Sequence, residues 1–459
     1  MSSEHVDVNP ILEGLVGRKL PRSVLAVSAI AIGLGLLGFI YGLFANPAWA
    51  WGAFVTGLVY SLGIAQGAVI FAVIMTLTWG RWGRPLKRIG EAAGFYLPVG
   101  YVLLLIFLFF GHKLYPFVPN NYVTGTAVSL QPHSLWGHST KPFWLGIDML
   151  IARQALGVGF MILISFFYIR ASLRPDLIQT QTFMRQKHPE WKAPGWWSWF
   201  TGNPKSIEDE VKKSDHTQSI LAVILAWTYA IVFSFVAFDL VMALSPWWYS
   251  NMFGGWVFAS SFWLSLAFIG IVALMARDWL GIRDLVTRAV THDLGKLTLA
   301  FCMFWAYTLF AQILPIWYGN MPDETQFLLV RMRLPEWAWL ARTVGVLCFL
   351  MPFTVLTSRG IKKMKWPFIG ILSTIMLGLF LERTLLVMPS VYLGDTFPTG
   401  LFLAVSIPVG IGFVGLVTLC TTWALSQLPP VTVSDPRLQP HPWDVHVHPI
   451  PERGQSTSH

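Results

Sequence analysis

The sequence predicts an all-α integral membrane protein with ten transmembrane helices, and three observations support this fold class. Hydrophobic residues make up 54% of the 459 residues, whereas charged residues make up only 12%, about half the share of a soluble domain. The mean hydropathy is +0.57. The chain also contains 23 Trp and 12 Tyr, residues that concentrate at membrane–water boundaries. A water-soluble fold is therefore excluded.

Ten stretches of the chain are apolar over the roughly 20 residues that a helix needs to cross a bilayer. These predicted spans are residues 23–44, 54–79, 95–111, 144–168, 218–244, 254–276, 297–317, 337–357, 366–386 and 400–425. Residues 1–22 are polar and lack the layout of a signal peptide, so no cleavage is expected.

The distribution of Lys and Arg predicts the orientation. Segments on one side of the predicted membrane carry 25 of these residues, segments on the other side carry 4, and 3 lie inside spans. Because Lys and Arg accumulate in cytoplasmic loops, both termini are predicted to be cytoplasmic, including the tail 426–459. The same bias explains the net charge of +9, so nucleic-acid binding is not expected.

The spans contain an internal repeat. Arg153 in span four lies 17 residues before Arg170, and Arg342 in span eight lies 17 residues before Arg359. Spans two to five (54–244) and six to nine (254–386) are therefore interpreted as two parallel four-helix bundles, with spans one and ten peripheral. Parallel repeats are related by an axis along the membrane normal.

The Pro- and His-rich tail is expected to lie as an extended strap along a partner subunit. Metal binding by its histidines is the alternative. These histidines are His441, His446 and His448.

Redox cofactors are not expected on this chain. Cys302, Cys348 and Cys420 lie far apart in apolar segments, and no CxxC or CxxCH motif is present. This excludes a self-contained iron–sulfur cluster or covalently attached haem. None of the 11 His lies in the middle of a span, which argues against axial haem ligands, and no metal site is predicted.

Ionisable residues inside the spans are candidates for a proton path, since such residues are costly in a membrane and usually mark a pathway or pocket. The candidates in the predicted outer half are Asp148, Arg153, Asp239, Arg342, Glu382 and Arg383. They are interpreted either as structural ion pairs, one in each repeat, or as a polar cavity for a quinol headgroup or a proton route.

Further candidates lie at the ends of spans three and seven. On the predicted cytoplasmic side these are Glu91, His292, Asp293 and Lys296, for which helix capping in contact with solvent is favoured over proton uptake. At the outer end of span seven, possible quinone contacts are Gln312, Tyr318 and Asp323; an interfacial position explains them equally well.

Three stretches of the sequence resemble the NrfD/PsrC-type membrane subunits, and most closely the ActF-type subunit of bacterial alternative complex III, a quinol:electron-acceptor oxidoreductase. The stretches are residues 141–176, 238–255 and 292–322. The most specific block is Trp-Tyr-Gly-Asn-Met-Pro at 317–322.

The resemblance implies a ten-helix fold with two four-helix bundles in the bacterial inner membrane. It implies partners: a paralogous NrfD-like subunit that binds the quinol, a periplasmic iron–sulfur protein and a multi-haem cytochrome c, with membrane lipids around them. Haem c, iron–sulfur clusters and menaquinol or another quinol would then belong to the complex rather than to this chain. It also implicates this type of subunit in proton translocation.

The hypothesis is a cofactor-free, non-catalytic membrane subunit that acts as a scaffold and in proton translocation. One alternative is the quinone-reactive anchor of a molybdenum/iron–sulfur reductase. The other is a secondary transporter built on parallel repeats. Matched Gly- or Pro-broken helices, which transporter sites commonly use, are absent from the sequence at mid-membrane.

Overall fold

The computed structural model of the chain confirms the all-α membrane fold. It describes residues 7–118, 121–122, 144, 146–202, 206–245, 248–392, 394 and 396–438, except the side chain of Asp323. Within these ranges, ten helices are long and apolar enough to cross a membrane: α1 Arg22–Ala45, α2 Pro47–Leu77, α3 Arg84–Leu114, α4 Ile147–Lys187, α5 Ile207–Leu244, α6 Asn251–Leu280, α7 Arg288–Gly319, α8 Pro335–Thr357, α9 Lys365–Val391 and α10 Thr399–Gln427.

Capping residues of the expected kinds set several helix boundaries. The side chain of Asn46 accepts a hydrogen bond from the Trp49 amide at 3.0 Å, so Asn46 alone separates the end of α1 from the start of α2. Thr287 caps α7 in the same way. Helix α6 ends at Gly281, whose φ of 69° lies in the left-handed region that favours glycine.

Two helices extend well beyond their predicted spans. Helix α4 continues to Lys187 and α5 begins at Ile207, so much of the charged segment between the predicted spans is helical. Ser206 caps α5 by accepting a hydrogen bond from the Asp209 amide, and Glu208, Asp209 and Glu210 occupy its first turn. Acidic residues there interact favourably with the helix dipole.

Helices α2 and α6 form the centre of the molecule. In an apolar stretch of 18 residues, 94% of α2 and 89% of α6 is buried, whereas the corresponding share of α1 is 22%. The two helices pack directly against each other, and the residues at their contact are small. A Cβ atom on Gly67 would lie 2.8 Å from the carbonyl oxygen of Ser261. Close packing of small residues is a common way to hold helices together in membranes.

Helices α2–α5 contact one another in the same pattern as helices α6–α9. In the first set, α2 contacts α3 and α5, α4 contacts α5, and α3 also touches α4; the corresponding pairs in the second set are in contact as well. Helices α1 and α10 pack against each other beside α2. We therefore keep the interpretation of two four-helix units, which this set of neighbours fits.

Helix α1 is held to α10 by a close glycine crossing. A Cβ on Gly35 would lie 2.8 Å from the Cα of Gly412, so the two backbones are nearly in contact. Because backbone atoms cannot move aside as a side chain can, any larger residue at Gly35 must push the helices apart.

We predict that Gly35→Leu lowers the free energy of unfolding in detergent by about 1–3 kcal/mol, the range for overpacking. Gly33→Leu is the matched control, because a Cβ at Gly33 meets no atom within 4 Å. Thermal unfolding of both purified variants measures the effect. Equal melting temperatures for the two variants would contradict this view of the crossing.

Candidate functional site

Three groups of buried ionisable residues lie inside the helix bundle, and they are named after the predicted orientation. The first outer cluster contains Arg153, Gln154 and Asp239, and the second contains Trp305, Glu382 and Arg383. The inner cluster contains Arg84, Lys87, Arg88, Glu91 and Asp176.

The first outer cluster joins α4 to α5. The Arg153 guanidinium donates to both oxygens of Asp239, from Nε at 2.8 Å and from Nη2 at 2.6 Å. Gln154 donates to the same carboxylate and to the Phe235 carbonyl oxygen, and the guanidinium also lies over the Trp144 ring. Two parallel hydrogen bonds of this kind fix the relative position of the two side chains. Arg153 and Asp239 thus meet.

Asp148 does not belong to this cluster. It is exposed in the first turn of α4, where a carboxylate interacts favourably with the positive end of the helix dipole. Its position therefore needs no buried partner.

The second outer cluster differs from the sequence-based interpretation. The Glu382 carboxylate accepts hydrogen bonds from its neighbour Arg383 and from Trp305 Nε1, the latter at 2.6 Å. Arg383 also donates to Ser260 Oγ on α6 at 2.6 Å. The carboxylate is therefore held by α7 and α9, and its arginine partner comes from its own helix.

Arg342 does not pair with Glu382, and that part of the repeat interpretation is wrong. Its guanidinium is exposed and donates to the Ala338 carbonyl oxygen of its own helix. Trp339, Val346 and Leu350 are exposed on the same helix, at the three- and four-residue spacings that define one face. Arg342 thus lies on the outward face of α8.

The inner cluster connects α3 to α4, and its five side chains are almost fully buried. Arg88 donates to Glu91 and to Asp176, and Ser172 donates to Glu91 at 2.6 Å. Lys87 Nζ lies 3.8 Å from Glu91 and donates to Gln218 on α5 at 2.7 Å.

The expectation that Glu91 caps a helix in contact with solvent is therefore wrong. The first turns of α3, over Arg84–Ala93, are entirely buried, and they pack against α2 and α10. Charges in such surroundings need partners and hydrogen bonds, and the sequence supplies them at close spacing along α3.

The C-terminal segment completes the inner cluster. Ser434 donates to Asp176 from its amide at 2.8 Å and from its hydroxyl, and Asp435 pairs with Arg84 at 2.5 Å. Arg437 pairs with Asp215 at 2.5 Å. Up to Leu438, the tail thus packs on its own chain; the strap along a partner subunit stays a prediction for the rest of the tail. The three tail histidines lie outside the described residues.

A line of polar side chains leads from the inner cluster into the bundle. Tyr168 hydrogen-bonds to Thr76 at 2.7 Å, and Gln66 donates to Ser165 at 3.0 Å. The buried face of α4 carries Gln154, Val158, Met161, Ser165, Tyr168, Ser172 and Asp176. Between Ser165 and Gln154 this face is apolar over about 16 Å at 1.5 Å per residue. The polar line thus stops before the first outer cluster.

A cavity of about 200 Å³ adjoins the inner cluster. Its lining includes Lys87, Asp176, Gln218, Ser434 and Asp435. Water with several polar partners is favoured in a cavity of this size and polarity. The inner cluster therefore adjoins a cavity that can hold water, at the end of the bundle where the tail lies.

The second unit has no matching buried carboxylate at this end, among the residues that the structure describes. Lys296 pairs with Asp293 at 2.6 Å within α7, and both side chains are partly exposed. The expected contact with solvent is confirmed, but the expected capping is wrong, because Thr287 caps this helix. His292 lies near Lys362. Burial, with Lys296 and Arg359 nearby, lowers the pKa of Lys362. The two units therefore differ in charge at their inner ends.

The structure does not bring the three possible quinone contacts together in one site. Gln312 is buried and accepts a hydrogen bond from Ser250 at 3.2 Å. Tyr318 is 86% exposed. Asp323 lies in the helix Pro322–Met332, and its side chain is outside the described part of the structure.

Comparisons with known proteins add no family assignment. Neither a search with protein-family models nor a search of curated proteins found a match. Within the described residues, no group of three or more His, Cys, Asp or Glu side chains is arranged to hold a metal ion.

We predict that Asp239→Asn destabilises the protein by about 3 kcal/mol, because removing one partner of a buried pair leaves the other charge uncompensated. Asp148→Asn is the matched control at the same end of the bundle and should stay within about 0.5 kcal/mol of the parent, as exposed positions do. Melting temperatures in detergent report both changes. A loss of similar size in the two variants would contradict the pairing role of Asp239.

Proposed function

We propose that the chain is a membrane subunit of a quinol-oxidising complex of the alternative complex III type in the bacterial cytoplasmic membrane, where it takes up protons from the cytoplasm. The observation that carries the proposal is the inner cluster, with two carboxylates buried in the bundle beside a polar cavity. The sequence resemblance described above supports the type of complex.

The inner cluster has the composition of a proton-binding site. Burial disfavours the charged form of a carboxylate, whereas a nearby cation favours it. Glu91 and Asp176 share the single guanidinium of Arg88, so a proton bound by one carboxylate lets Arg88 pair fully with the other. Two such arrangements of one cation provide a simple two-state element.

The apolar stretch on α4 acts in this proposal as a barrier. The polar line reaches Gln66 and Ser165 from the inner cluster but does not continue to Gln154. A proton taken up at the inner end therefore finds no continuous polar route to the outer end along the buried face of α4. Net transport would require a change in helix packing, which oxidation of quinol in a partner subunit would drive.

The experiment is purification of the tagged chain in mild detergent with its partners, followed by reconstitution into vesicles. We expect a reduced-minus-oxidised visible spectrum with a c-type haem band that quinol reduces. In the vesicles, Asp176→Asn should keep most of the quinol oxidation rate but translocate fewer protons per electron, because one of the two carboxylates that share Arg88 can no longer bind a proton.

Glu210→Gln is the matched control for this experiment. Glu210 is also a buried carboxylate near the same end, but it pairs with Arg174 at 2.7 Å and lies off the polar line. Its proton-to-electron ratio should equal that of the parent. Equal ratios in all three proteins would contradict proton uptake, and a colourless chain that purifies alone would contradict membership of the complex.

A further inference from the structure

A second cavity, of about 220 Å³, lies inside the second helix unit. It is enclosed by α6, α7, α8 and α9 together with the helix Pro322–Met332. Its walls are mostly apolar and aromatic, with Trp248, Trp256 and Trp305 among them, and three other polar side chains line it: Gln312, Arg331 and Glu382. At roughly 30 Å³ per water molecule, the cavity has room for a ring-sized group.

Arg331 is a buried guanidinium without a carboxylate partner among the described residues. Only 4% of it is exposed. It donates to the Leu386 carbonyl oxygen at 2.7 Å, to Ser390 Oγ at 2.6 Å and to the Phe327 carbonyl oxygen at 3.1 Å, while Nε has no acceptor among the described residues. Burial holds the pKa of Arg331 well below its usual value.

The cavity has more donors than acceptors. Besides Arg331 Nε, the indole N–H groups of Trp248 and Trp256 are buried without an acceptor in the part of the chain that the structure describes. The nearby acceptor side chains hydrogen-bond to other donors: Glu382 accepts from Trp305 and Arg383, and Gln312 Oε1 accepts from Ser250. A buried donor without an acceptor costs about 1–3 kcal/mol. The cavity is therefore suited to a molecule that brings acceptor oxygens.

The cavity opens to the lateral surface of the helix bundle. Its lining includes Gly345 on α8 and Met332, both of them exposed. A Cβ on Gly345 would meet no atom within 4 Å, so this position is open. Directly after it, α8 forms a π-helical turn over Val346–Leu350, a feature frequent at functional sites. A ligand that enters here comes from the lipid phase.

We propose that this cavity binds a membrane-soluble molecule whose carbonyl-type oxygens accept hydrogen bonds from Arg331 and the two tryptophans. Quinones and fatty acids both carry such oxygens on an apolar body, and the ring or carboxyl end would occupy the cavity while the chain extends into lipid. The site is separate from the inner cluster. Ligand binding can therefore be tested separately from proton uptake.

The test is photolabelling of the full chain, purified with its partners, using an azido-naphthoquinone and a diazirine fatty acid as probes. Mass spectrometry then locates the labelled residues. We expect saturable labelling of peptides from α7, α8 or the Pro322–Met332 helix by one probe. Labelling by the naphthoquinone identifies a quinone site, and labelling by the fatty acid identifies a lipid site.

Gly345→Leu should raise the probe concentration for half-saturation about tenfold or more, because its side chain fills the mouth of the cavity. Gly370→Leu is the matched control on α9, since a Cβ there also meets no atom within 4 Å, and it should label like the parent. Trp256→Phe keeps an aromatic wall but removes one donor, and should weaken labelling without blocking access.

Two results would overturn the proposal. One is the absence of saturable labelling by either probe, which would mean that the cavity holds water only. The other is labelling that is equal in the parent, Gly345→Leu and Trp256→Phe, provided that the melting temperatures show all three proteins to be folded. Because proton-to-electron ratios are measured separately, failure here leaves the proposed proton uptake standing.

Discussion

The arrangement of the first helix unit depends on one guanidinium shared by two buried carboxylates. Arg88 on α3 contacts Glu91 on its own helix and Asp176 on α4. Each of these charges depends on an oppositely charged partner, since an ion buried alone costs several kcal/mol. The pairing therefore fixes how α3 lies against α4, and it makes the polar C-terminal segment necessary as a further hydrogen-bonding partner for Asp176.

Buried charges need partners in the rest of the protein as well, and these partners differ between the two units. At the outer end of the first unit, Asp239 is held by an arginine and a glutamine from α4. At the outer end of the second unit, Glu382 depends on the adjacent Arg383 and on an indole. The inner end of the second unit carries partly exposed groups instead. Buried charge is therefore distributed differently in the two interpreted units.

Hydropathy and length were sufficient to predict all ten spans, because apolar runs of this length have few other uses. The charged pairs were harder. Arg153 and Asp239 could be found since each is a lone charge in an apolar run. Asp176 and Asp435 could not, because both lie in polar stretches that look like loops. The one local signal for the inner cluster was the spacing of Lys87 and Arg88 to Glu91, four and three residues apart on a helix. The burial of Arg331 could not be predicted either, because in the sequence it is one of several basic residues between two spans.

Proton binding by the carboxylates of the inner cluster during turnover can be followed by redox-induced infrared difference spectroscopy. The parent complex is compared with Asp176→Asn and with Glu91→Gln during quinol oxidation. We predict a carboxyl C=O signal that shifts in D₂O and is lost or changed in at least one of the two variants. A carboxyl region identical to that of the parent in both variants would contradict proton binding by these carboxylates.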